Sequence, residues 1–398
     1  MNTSDLKYDR HELSGSMADL GVFLPLAIAL ITLNGMSATP VFLTAGLAYI
    51  FAGFYYRIPM PVQPLKAASV IAIAMSASPA VIAATALSMS AVLLIGRHLN
   101  LKRAMEWLFP RAIVRGIQLT IGLVLIKKGA LLLFGESLFL SGENLMFKIF
   151  ITSPIFAMFL GLFSLLLILV FRGSKKFPAG LAVMGFGILI GAIAAGPDGL
   201  SQITIGWDFA KLSLPALADF YIAIPALLLP QLPLTFGNSI IATEETSRQY
   251  FGEGAKRVTI PALMTSIGIM NIFSGIIGGL PMCHGSGGLT AHYRFGSRTG
   301  GSSVIIGAIF IIVALLFGKS ATAIFGLIPL PILGVMLLYI GFMHTFLIKD
   351  IVCSPWELAL AVLIAGITLS GAGLAIAFLI AIVIYMIAHL VGRKSKLG

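Results

Sequence analysis

Long apolar runs without interrupting charges, and without a two-residue alternation, dominate this 398-residue chain. Runs of this kind constrain the fold more than any other feature. In a bilayer each backbone N–H and C=O must be satisfied inside the protein, which leaves helices or closed barrels, and the missing alternation excludes the barrel. Charged residues make up 10% of the chain, against roughly 25% for a soluble domain. A soluble enzyme is thereby ruled out. A span takes about 20 residues, so fourteen spans would use about 280 and leave little for a second domain.

Apolar windows between charged or Pro/Gly-rich breaks fall at 14–33, 38–56, 62–76, 79–96, 111–134, 150–171 and 178–196 in a first half. A polar stretch at 198–219 separates these from windows at 220–243, 259–279, 286–299, 301–318, 328–347, 355–371 and 373–391. The third window of each half is short; the first of these begins with prolines and the other with glycines. Ile58-Pro59-Met60 matches Leu280-Pro281-Met282, Leu24-Pro25-Leu26 matches Leu232-Pro233-Leu234, and Pro110 with Ile121-Gly122 matches Pro329 with Ile340-Gly341. The matches keep their order and nearly their offset, so the spacing predicts an internal repeat with units 14–197 and 220–391.

The formal net charge is +11. With a cytoplasmic N-terminal tail at 1–13 and fourteen spans, most Lys and Arg fall on the cytoplasmic side, and Lys127, Lys128, Lys148, Lys211 and Lys319 fall outside. Both termini are therefore expected on the cytoplasmic side of the cell membrane, with 198–219 extracellular and 392–398 a short cytoplasmic tail. Nucleic acid is not implied, because the positive excess marks a membrane face. Seven spans per unit make the repeat inverted, the arrangement that lets a central site face either side. Cys283 and Cys353, the two cysteines, have no metal-ligand spacing, and nothing in the chain calls for a metal or cofactor.

Two segments look broken. In Ile58-Pro-Met-Pro-Val-Gln-Pro-Leu-Lys66 three prolines forbid a continuous helix but suit an extended stretch and a first helical turn. A helix start near Val62 would put free N–H groups, Gln63 and Lys66 near the membrane midplane. In Leu280-Pro-Met-Cys-His-Gly-Ser-Gly-Gly-Leu289, Gly285, Gly287 and Gly288 allow close backbone approach, Ser286 is a natural N-cap or ligand donor, and His284 can donate. Two helix N-termini facing each other, one with a lysine, suit an anion. The competing account makes Lys66 a snorkelling residue and the Pro/Gly clusters mere kinks.

Asp19 is the carboxylate inside the first span, suited either to carrying a proton or to pairing with Lys66 or Arg294. Gln231 and Asn238 in the eighth span could meet a substrate oxygen or bond between helices. Glu244 and Glu245 read as solvated ends, Arg294 and Arg298 as cytoplasmic anchors, and His292 as a packing or pore-lining group.

At these residues the chain resembles the molybdate transporter family, a relative of the SulP sulfate permeases. PMPVQPLKA (Pro59–Ala67) and PMCHGSGGLTAHYRFGSRTG (Pro281–Gly300) look like that family's signature motifs, and GSMADLGVFLP and QLPLTFGNSIIA resemble its first and eighth spans. The resemblance implies an all-α polytopic fold, the seven-plus-seven inverted repeat of SulP carriers and uracil permease, with half-helices in segments 3 and 10 flanking the substrate. Classical SulP permeases end in a STAS domain, which the short tail here does not supply.

The expectation is a secondary active importer of a tetrahedral oxyanion, molybdate before sulfate or tungstate. Val62, Gln63, Lys66, Gln231, His284, Gly285, Ser286, Gly287 and Gly288 would bind it, and Asp19 would couple a proton. A homodimer is the candidate assembly. Three rivals stay open: a nucleobase carrier, which would want carboxylates at the site; an intramembrane enzyme using His284 and Ser286; and a passive anion channel.

Overall fold

The computed structural model describes residues 6–99, 110–135, 138, 154–171, 174, 179–201, 203–209 and 214–394. Its first helix, α1 (Arg10–Ser16), starts where the Asp9 carboxylate accepts from the His11 and Glu12 N–H groups. A 3-10 turn, Met17–Asp19, leads into α2 (Leu20–Asn34), which Gly35 ends in a left-handed conformation. Helix α3 (Ala38–Tyr56) is followed by an extended arm holding strand β1 (Gln63–Pro64) and by the short helix α4 (Lys66–Ala74). Next come α5 (Pro79–Gly96), capped by Ser78 at the Val81 N–H, and then α6 (Arg111–Leu133). Helices α7 (Pro154–Phe171) and α8 (Ala179–Ser201) complete the first half, α8 kinking at Gly196–Pro197.

The second half opens with α9 (Leu217–Ala255), one long helix with π turns at Ile224–Leu228 and Thr235–Ile241. Pro225, Pro230 and Pro233 lack the N–H that a regular helix needs, and the hydrogen-bond register slips around them. Helix α10 (Ile260–Ile277), capped by Thr259, leads to strand β2 (Met282–Cys283) and to the second short helix, α11 (Ser286–Arg294). Then come α12 (Gly301–Phe317), α13 (Ala321–Gly326), α14 (Leu330–Thr345), α15 (Pro355–Ile367) and α16 (Leu374–Lys394). Helices occupy all the apolar windows in the described residues. Among those residues eight helices are long and apolar enough to cross a membrane, or nine if the bent pair at the N-terminus counts as one span. The chain is a multi-pass helical membrane protein.

The most extensive helix pairs are α6 with α14, α3 with α12, and α5 with α10. Glycines let the first two close up: a Cβ on Gly122 would meet the Gly341 carbonyl at 2.7 Å and one on Gly341 the Gly122 carbonyl at the same distance. Gly46 and Gly307 are opposed in the same reciprocal way across α3 and α12. Small residues are the ordinary route to close packing where lipid supplies no hydrophobic drive between helices. Phe23, Phe42, Tyr49 and Phe310 form an aromatic core between α2, α3 and α12, with the Phe23 and Phe310 centroids 4.6 Å apart.

Candidate functional site

Strands β1 and β2 pair antiparallel, Gln63 opposite Cys283 and Pro64 opposite Met282. The Leu65 N–H donates to the Pro281 carbonyl at 2.8 Å, so the two arms cross and bring the starts of α4 and α11 together. Asn271 holds β2 from both sides, donating to the Met282 carbonyl at 2.6 Å and accepting from its N–H at 2.9 Å. The arms differ from the sequence expectation in where their helices begin. Helix α4 begins at Lys66 rather than near Val62, because Pro64 drives Gln63 into an extended conformation and Pro61 does the same to Met60. Likewise Gly285 is the N-cap of α11 and Ser286 its first helical residue, with the Ser286 hydroxyl donating to Asn238 Oδ1 at 2.7 Å.

A cavity of about 420 Å³ opens where the two helix starts meet. Lys66, Gln231, Asn238 and Gly287 line it from the crossed arms and α9, and Gln118, Tyr339 and His344 line it from α6 and α14. The Lys66 ammonium makes no ion pair or hydrogen bond among the described residues. First-turn N–H groups have no intrahelical partner. In α4 the Gln231 side-chain oxygen takes that of Ala68 at 3.2 Å, and its amide donates to Thr235; in α11 no side chain caps the first turn.

Of the expected site residues, Lys66, Gln231 and Gly287 line the cavity. The others stand behind it. Val62 and Gln63 are buried in the extended arm, and Gly285 packs against Gln63 and Asn238. Gly288 is where the Asp19 carboxylate and Gln63 come against α11, so a Cβ there would meet Asp19 Oδ1 at 2.7 Å. His284 is turned away: its Nδ1 is 2.8 Å from the Pro61 carbonyl and its Nε2 2.8 Å from the Ser266 hydroxyl, which also meets the Tyr56 hydroxyl at 2.7 Å. Because a carbonyl can only accept, Nδ1 carries the proton.

Asp19 pairs with His292 rather than with Lys66 or Arg294. Its Oδ2 is 2.9 Å from His292 Nε2 and accepts from the Tyr49 hydroxyl at 2.7 Å, and its Oδ1 accepts from the Gln63 amide. All four side chains are buried, so this ring ties the first helix bend, α3, the first arm and α11 together away from solvent. Sequence reasoning missed Gln118, Tyr339, Cys283 and His344 as cavity residues. Polar groups well inside apolar windows were the available signal, but nothing in the sequence says which face of α6 or α14 turns inward.

The family described as the molybdate transporter of the MFS superfamily matches residues 11–125 and 223–343, more than half of the chain and covering both arms. The chain belongs to this family. Its curated relatives include molybdate transporter 2 of Arabidopsis thaliana, 29% identical over 95% of this chain and 87% of that protein, and molybdate transporter 1 of Chlamydomonas reinhardtii, 28% identical over 83% and 82%. Among solved structures, the transmembrane domain of a cyanobacterium bicarbonate transporter, BicA, matches with a TM-score of 0.64 at 18% identity, covering 95% of this chain and 98% of that one. The murine Slc26a9 anion transporter in the inward-facing state matches with a TM-score of 0.63 at 15% identity over 96% and 69%. At such identities the likeness is one of fold, and this member of the molybdate transporter family shares it.

Proposed function

We propose that this chain is a secondary active carrier that imports a tetrahedral oxyanion, molybdate before sulfate or tungstate, with proton coupling. The observation that carries the reading is the unpaired Lys66 ammonium in a cavity where two short helices begin. An isolated charge within a membrane protein is costly, and a dianion held by that ammonium and by helix N-terminal N–H groups offsets the cost. No carboxylate lines the cavity among the described residues, which favours an anion over a neutral nucleobase. The names of the curated relatives support the same substrate.

Fourteen spans in a seven-plus-seven inverted repeat are part of the proposal. Support comes from the packing: exchanging the halves turns the α3–α12 pair into α5–α10, α6–α15 into α7–α14, and α7–α8 into α15–α16, and each of these pairs is in contact. The arms β1–α4 and β2–α11 exchange in the same way. Both termini are placed in the cytoplasm, and a homodimer is the proposed assembly. Labelled molybdate should accumulate against its gradient in proteoliposomes and be competed by tungstate more than by sulfate. Equilibration without accumulation would sink the carrier reading in favour of a channel, and failure of all three oxyanions to compete would sink the substrate class.

A further inference from the structure

The cavity holds one imidazole, which the anion site described above does not use. His344, on α14, lines it together with Lys66. Its Nδ1 lies 3.0 Å from the Ile340 carbonyl one turn back in the same helix. A carbonyl only accepts, so Nδ1 carries a proton and Nε2 is the atom left for the cavity, with no partner among the described residues. Unprotonated, Nε2 turns a lone pair toward an oxyanion and repels it; protonated, it presents a charged donor.

We propose that His344 takes up the coupling proton as the oxyanion binds, so that Lys66 and the His344 imidazolium together balance a dianion. This rests on the oxyanion reading above and adds the carrier of the proton. The groups around His344 fit that role. Lys66 faces it from α4 and Cys283 from β2, Tyr339 shares its helix, and Gln118 faces it from α6. Arg115, one turn before Gln118, is already engaged, 2.6 Å from Asp350 and 2.7 Å from Gln118. Lys66 is thus the one charged side chain among the lining residues, and it balances one of the two charges of a dianion. The step forms one N–H bond at Nε2 with a proton from solution, and no other bond changes. Asp19 suits the role less, since it stands off the cavity with His292, Tyr49 and Gln63 on its oxygens.

The test is calorimetric titration of the purified full-length chain with molybdate in buffers of different ionisation enthalpy, over a range of pH. Wild type should take up about one proton per molybdate, its affinity falling by up to about 10-fold per pH unit above the titration of His344. His344→Arg, with a fixed charge, should bind with no proton uptake and a flat pH profile; His344→Gln should bind more weakly, also without uptake; Asp19→Asn should keep the uptake. Proton uptake that persists in either His344 variant, or molybdate binding by wild type without uptake, overturns the assignment while leaving the oxyanion reading intact. The wild-type measurement stands even if a variant is unstable. If wild type binds neither molybdate, tungstate nor sulfate, the oxyanion reading fails, and this inference with it.

Discussion

The two crossing arms hold matching places in the fold and solve different problems. Pro59, Pro61 and Pro64 keep the first arm extended as far as Leu65, so that α4 opens with a lysine at the cavity. The second arm has one proline and then Gly285, Gly287 and Gly288, and α11 opens with Ser286 followed by two glycines. One arm therefore brings charge and the other brings room. Proline stiffness suits the first role, because a fixed φ holds the lysine where it would otherwise withdraw to an interface. Glycine suits the second, because Gly288 admits the Asp19 and Gln63 side chains and Gly287 leaves open space at the helix start.

The largest effect is expected on the charged arm. Lys66→Ala should lower molybdate uptake by about 100-fold, the loss of roughly 3 kcal/mol that follows removal of one partner of a desolvated charge pair. Uptake at the wild-type rate in proteoliposomes would show that the first arm does not bring the charge. On the glycine arm the contrast lies between neighbours. Gly288→Ala forces a Cβ to 2.8 Å from the Pro61 Cβ and 2.7 Å from Asp19 Oδ1, an overpacking that should cost about 1–3 kcal/mol and lower the melting temperature in detergent. Gly287→Ala meets nothing within 4 Å, so its stability should stay within about 0.5 kcal/mol of wild type while the KM for uptake rises. Equal destabilisation by the two would break the assignment of room to Gly288.

The smallest effect on transport is expected behind the arms. Ser266→Ala leaves His284 Nε2 and the Tyr56 hydroxyl without their shared partner, which should cost about 1–3 kcal/mol in thermal stability. Oxyanion affinity should stay unchanged at temperatures where the variant is folded. A large rise in the Kd for molybdate would instead place His284 at the substrate.

The arms show why the site was partly legible in the sequence. Lys66 and Gly287 were readable because an intramembrane charge and a glycine cluster are rare and local. Gln231 was readable as a polar group in an apolar window, although its bond to the Ala68 N–H was not. His284 faces away from the cavity, and Cys283, of which nothing was expected, lines it, for a simple reason. Successive side chains of an extended segment point to opposite faces, so Cys283 turns to the cavity and His284 to Pro61 and Ser266. Choosing between the two faces needs the partner strand and α10, which no local pattern names.

What the sequence determined by itself is the multi-pass helical class, the windows that the helices occupy, and the two places where a helix must break. These follow from apolar run length and from the backbone limits of proline and glycine, which act within a few residues of where they stand. Tertiary structure alone decided that Asp19 meets His292, that His284 faces away, and that Gln118 and His344 close the far side of the cavity. Each of these joins residues far apart in the chain, and their meeting depends on how whole helices pack and rotate against one another.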